Sequence, residues 1–295
     1  MQKSRTRVVC TVLAALALAS LALAGPATAK LTGNYTKFAQ CPFTNTEARK
    51  CIYAVTESGE VVLGNKKVPI EKQVVLQGAY GAQDAESFGK FIAATNGETL
   101  SKAPQNVPGG LLGIVPDASS PALVKALIKF FLENSLTGVN STLELAKPAS
   151  EIRVSENHLA EEEGIALKMP VKVHLENPFL GKNCYVGSST SPITLQLTTG
   201  TTSPPAPNKP ITGSSGLGEF LEGGRILVLK NNTLVDNSWS APAPTGCGGI
   251  LSFLVTPIIK AQLGTTSAGY NTAILKGTLN VASASAVKKN NEENP

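Results

Sequence analysis

Histidine occurs only twice in the 295 residues, as His158 and His174, and tryptophan once, as Trp239. A serine nucleophile relying on an imidazole base therefore has two places to find one. No G-x-S-x-G elbow accompanies either, and Gly213-Ser214-Ser215-Gly216 has the wrong spacing. His174 falls on the polar side of an apolar-alternating strand and His158 in a segment read as a loop, both ordinary positions for structural histidines. Aromatic residues make up 5% of the chain, too few to suggest a stacking platform for sugars, and Trp239 reads as a packing residue. Paired glycosidase carboxylates can come from distant strands, but no pair stands out. H-E-x-x-H and EF-hand patterns are missing, so His158 with Glu161, Glu162 and Glu163 is a solvated acidic stretch before it is a calcium site. Nothing in the sequence points to a bound cofactor.

Charge excludes another class. Lys and Arg number 26 against 21 Asp and Glu, and no basic stripe is interleaved with aromatics, which argues against a nucleic-acid partner. Three of those basic residues, Lys3, Arg5 and Arg7, precede an apolar run over residues 8–24 that ends among small residues at Ala27 and Ala29. This is the pattern of a secretory signal peptide cleaved before Lys30. At 17 residues the run barely approaches the roughly 20 that a spanning helix needs. Beyond it the excess of positive charge drops from five to two.

Four of the five cysteines lie outside the leader: Cys41, Cys51, Cys184 and Cys247. An even number in an exported chain reads as two disulfides, and three pairings are open. Cys41 with Cys51 and Cys184 with Cys247 is preferred, because each pair then lies within its own half of the chain. The spacings fit no zinc motif, and neither histidine lies near a cysteine pair.

Period-2 alternation dominates the rest. Every odd position of residues 165–176 is apolar, and Ile193, Leu195 and Leu197 alternate with Thr194, Gln196 and Thr198. Residues 139–145 and 273–281 repeat the pattern, and residues 51–56, 60–63, 73–77 and 88–94 supply shorter strands with turns at Gly59, Gly64-Asn65 and Gly78. Residues 224–230 and 232–238 read as a hairpin turning at Asn231-Asn232. The Pro- and Gly-rich stretch 199–216 reads as an exposed loop inside one domain. These features predict a mainly β fold packed like a two-sheet β-sandwich. Its domain covers residues 30–286, with two β subdomains meeting near residues 119–135 as the alternative. A polar, disordered tail is expected over 287–295.

One helix is expected within this background, over residues 121–133, capped by Ser120 with Pro121 in its first turn. Leu123, Val124, Leu127, Ile128, Phe130, Phe131 and Leu132 cover an apolar arc of about 200°, wider than a surface helix needs. Deep packing explains that arc, and so does lining an apolar-ligand site, for which Leu123, Leu127, Phe130 and Phe131 are the candidates. Asn34, Asn140 and Asn231 match the short N-glycosylation acceptor pattern.

Residues 107–113, 177–187, 192–195 and 235–238 resemble segments of secreted proteins of actinobacterial-type Gram-positive bacteria. That resemblance implies export and carries no activity, cofactor or site onto these positions. The expectation is a non-enzymatic protein, extracellular or loosely held at the cell surface, that binds cell-envelope components or plays a structural part. The alternatives are a carrier of an apolar, lipid-like small molecule and a hydrolase using scattered carboxylates.

Overall fold

A computed structural model of the chain describes residues 30–294 apart from 113–120, 123, 124 and 127–136. The leader expected over residues 1–29 lies outside the described residues. Among the described residues fourteen strands are hydrogen-bonded into one antiparallel sheet. They are β1 (Lys50–Leu63), β2 (Lys66–Pro69), β3 (Val74–Gln83), β4 (Gly89–Ala93), β5 (Gln105–Val107), β6 (Val139–Leu145) and β7 (Arg153–Val154). The second half of the chain adds β8 (Leu167–Glu176), β9 (Tyr185–Val186), β10 (Ile193–Leu197), β11 (Leu217–Leu221), β12 (Ile226–Asp236), β13 (Pro244–Thr245) and β14 (Thr272–Ser283). Among the described residues the α-helices are α1 (Glu156–Glu161), α2 (Ser252–Leu263) and α3 (Ala284–Glu293). Ala122, Lys125 and Ala126 are helical as well, and the remainder of the helix expected over 121–133 lies outside the described residues.

The mainly β expectation holds, but the ladders do not divide into two sheets. The path runs β11-β12-β14-β1-β3-β4-β7-β8-β6-β5 without closing. Its narrowest point is β7, where two residues pair with β4 on one side and β8 on the other. Two wings meet there, one built on β1 and β14, the other on β8 and β6. Their apolar faces share one core: Ile52, Leu76 and Leu279 come from the first wing, Met169, Val171 and Leu195 from the second. Thr198, just past β10, exchanges both backbone hydrogen bonds with Val235 of β12, which stitches the wings a second time. Gln105 of β5 makes a third tie. Its side-chain oxygen accepts from Glu71 and Lys72 backbone N–H groups, and its amide donates to the Lys72 and Ala103 carbonyls.

The outer face of the first wing is covered too. Tyr35, Phe38 and the Cys41–Cys51 disulfide pack on Ala79, Val228 and Ala282 together with Val287 of α3. Residues 287–293 are therefore helical rather than disordered. The Ser283 hydroxyl caps the helix by accepting the Ala286 N–H, Val287 is fully buried, and Asn290 bonds to Thr32. Cys184 is bonded to Cys247, as preferred from the spacing. Closing loops of 10 and 63 residues restricts the unfolded chain by about 3 and 4 kcal/mol respectively. The stretch 199–216 is less exposed than its composition suggests. Thr199 and Thr202 are buried, and Ser214 pairs with Thr233, so only its tip around residues 203–210 is mostly open.

Three expected turns lie inside strands instead: Gly78 is paired on both sides within β3, and the other two are at bulges. β1 runs straight through Gly59, and β12 runs through Asn231-Asn232. Opposite Gly277 of β14, the first strand has one extra residue between Thr56 and Ser58 and the other has one extra between Leu229 and Asn232. Asn231 takes the left-handed conformation at φ 55° that such an insertion needs. Each bulge shifts the phase of alternation. Inward residues of β1 are Ile52, Ala54 and Thr56 before the bulge and Val61 and Leu63 after it, while β14 keeps Ala273, Leu275, Leu279 and Val281 inward throughout. Gly277 lies where the bulged backbone crosses closest, and a Cβ there would run into the Val55 carbonyl.

Gly277→Ala is accordingly expected to lower stability by about 3 kcal/mol, because backbone rather than a side-chain tip would have to give way. Gly218→Ala, where the nearest atom is a Leu229 methyl at 3.6 Å, should stay within about 0.5 kcal/mol of wild type. Denaturant melts of the two variants check this.

Candidate apolar ligand cavity

Several inward-facing aliphatic side chains are only half-buried, among them Leu143, Leu167, Val173, Leu234 and Leu275. They pack against the core on one side and border an opening in it on the other. The cavity has a volume of about 170 Å³. Its walls come from both wings. β1 contributes Ala54, Thr56, Val61 and Leu63; β8 contributes Leu167, Met169, Val173 and Leu175; β6 contributes Val139, Ser141 and Leu143. Because Ala54 and Leu63 both border it, the cavity follows roughly 25 to 30 Å of strand. A smaller void of about 50 Å³ continues it past Ala54, Thr56 and Leu234 toward Val154 and Leu159. The described walls include no carboxylate, and Lys66 is their one charged side chain.

α2 closes one side with Ile259 and Leu263, both buried. Its other face is also apolar: Phe253, Leu254 and Ile258 are exposed, as are Ile250 and Leu251 just before it. A helix apolar on both faces has no one-sided stripe, so residues 251–259 carry no helical periodicity in the sequence. Lys66, at the start of β2, reaches this helix and donates from Nζ to Gln262 Oε1 at 2.9 Å. Burial lowers the Lys66 pKa from the ordinary lysine value. Neither Lys66 nor Gln262 carries any motif in the sequence; only the fold brings them together.

The other candidates disperse. Leu123, Leu127, Phe130 and Phe131 lie outside the described residues; Leu111 and Val139, on either side of that segment, border the cavity. His158 lies in α1 rather than a loop. Its Nδ1 stands 3.0 Å from the Ile165 carbonyl, and its ring packs edge-on against Phe88. His174, on the even-numbered face of β8 that points away from the cavity, stacks on Tyr185 at 4.5 Å between centroids. Glu144 and Glu176 flank its Nδ1 at 3.9 and 3.7 Å, and Lys172 holds Glu144 at 3.2 Å while covering the same Tyr185 ring. These carboxylates flank the stacked His174 and Tyr185 rings.

Glu162 serves as a latch: its carboxylate accepts from Ser215 N–H and hydroxyl, bonds that pull its pKa below the usual range. Among the described residues no three His, Cys, Asp or Glu side chains converge on a metal position. Trp239 is buried and donates its indole N–H to the Asp236 carbonyl. Asp236 is itself buried beneath it, with its pKa raised by desolvation against the two backbone N–H groups it accepts.

Ala54 borders both voids, so its enlargement distinguishes open space from packed core. In a filled core Ala54→Leu would cost about 1 to 3 kcal/mol through overpacking. Here it is expected to be neutral or stabilising by about 0.5 to 2 kcal/mol, read from the midpoint of a denaturant melt. No family model, curated protein or solved structure matches this chain, so its function has to be argued from the cavity itself.

Proposed function

We propose that the protein is a non-enzymatic, exported carrier that holds one apolar, lipid-like molecule between its two wings. The observation that carries this reading is the long aliphatic cavity bordered by both β1 and β8, with carboxylates absent from its described walls. Such a space is costly to fill with water, since a water molecule needs two to four polar partners, whereas a hydrocarbon gains from every aliphatic wall it covers. A carbon chain fits a lining of Leu, Val, Ile and Met better than any polar metabolite does. The hydrolase alternative finds less support. Both histidines are engaged in packing and hydrogen bonds away from the cavity, so the described walls offer a bound molecule no imidazole or carboxylate, and Lys66 is their one charged group. The two disulfides support an oxidising location, in keeping with a carrier that works outside the cell.

Protein purified from its host without lipid extraction is expected to show, by native mass spectrometry, a second species heavier by one lipid-sized mass. After extraction it should take up a fluorescent fatty-chain probe at one per chain, and Ala54→Leu should reduce that uptake severalfold. A bare chain that takes up no probe would overturn the carrier reading.

A further inference from the structure

Lys66 is the one charged group on the described cavity wall, and no carboxylate lies within ion-pair distance of it among the described residues. Among the described residues other lysines pair with carboxylates at the surface or on the outer face of the sheet, as Lys50 does with Glu156, Lys67 with Glu60, Lys172 with Glu144 and Lys230 with Glu219. The other polar side chains on the described wall are Gln105, Ser141, Gln262 and the Thr56 hydroxyl, which stands beside Ala54. Gln105 and Ser141 have their side chains committed to backbone groups of the protein. Gln262 is different: its oxygen accepts from Lys66, and its amide N–H groups donate to no described residue. An ammonium and an amide donor thus stand together on the wall at the α2 side, close to Leu63, while Ala54 and the smaller void lie at the other end of the β1 lining.

We propose that Lys66 and Gln262 receive the carboxylate of a long-chain fatty acid whose hydrocarbon tail runs along β1 toward Ala54. This rests on the carrier reading and adds the class of its ligand. A single ammonium matches a single negative charge, and a space bordered along β1 from Leu63 to Ala54 suits one extended chain. An anion there gives the Lys66 ammonium a partner in place of the water that burial removes, consistent with the downward displacement of its pKa. The apolar lining alone would favour a neutral alcohol over an ionised acid of equal length, because an unpaired carboxylate costs more to bury than a hydroxyl, so a preference for the acid isolates the polar pair.

Calorimetric titrations of the lipid-free full chain with dodecanoic acid, dodecanol and dodecyl phosphate, repeated with Lys66→Met and Lys66→Arg, test this at a pH where the acid is ionised. The acid is expected to bind wild type about tenfold tighter than the alcohol. Lys66→Met should shrink that gap to about twofold without changing alcohol affinity, and Lys66→Arg should retain most of it. Equal binding of acid and alcohol by wild type would overturn the carboxylate assignment while leaving the carrier intact. So would a preference that survives Lys66→Met, an equal loss of both ligands in that variant, or tighter binding of the phosphate. Binding of none of the three would overturn both readings together.

Discussion

The approach of two backbones at Gly277 is the constraint on which the rest of the architecture turns. A side chain there would occupy the position of the Val55 carbonyl, so β1 and β14 can lie this close only at a glycine. Both neighbours of β14 carry their extra residue opposite this point, and a bulge bends its strand and increases the local twist. The first wing is thus curved about Gly277, and its inward residues border a space shared with β8 and β6. The phase shift has a second effect. Without it, the Thr56 register would turn Val61 and Leu63 away from the interior and replace them with Glu60 and Val62.

Strands without bulges were the legible ones. β8, β6 and β10 pair in continuous register, so the odd-numbered alternation of residues 165–176 and 193–197 passes directly into burial. Bulged strands misled the same logic. In β1 the alternation breaks at residue 57 and Gly59 follows, which together imitate a turn; in β12, Asn231-Asn232 does the same. A period-2 reading has no means of distinguishing one inserted residue from the end of a strand. The disulfide pairing was legible because each pair closes locally, whereas the division into two sheets was not, since it depended on whether β7's two residues would bridge the wings.

The cavity had a similar fate. Its walls are ordinary strand-core residues, and no pattern in the chain marks which inward Leu or Val meets a neighbour and which meets empty space. The sequence pointed to residues 121–133 for apolar-ligand contacts, while the described walls draw on ten or so separate segments whose spacing along the chain carries no signal. Lys66 and Gln262, 196 residues apart, are joined only because Gly64 and Asn65 turn β1 into β2 beside the end of α2. The tail was misread for a related reason: polar composition over residues 288–293 hid a helix whose anchor, Val287, is one buried residue in the turn before it.

Whether the space between β1 and β8 is open in the folded protein decides the account more directly than any ligand assay. Crystals of the lipid-free protein under xenon pressure would measure it, since an apolar cavity of about 150 Å³ is large enough to take up xenon and stay free of water. The account predicts xenon density within the core beside Ala54, Leu143 and Val173. Wall side chains collapsed into contact, or ordered water filling the same space, would contradict it.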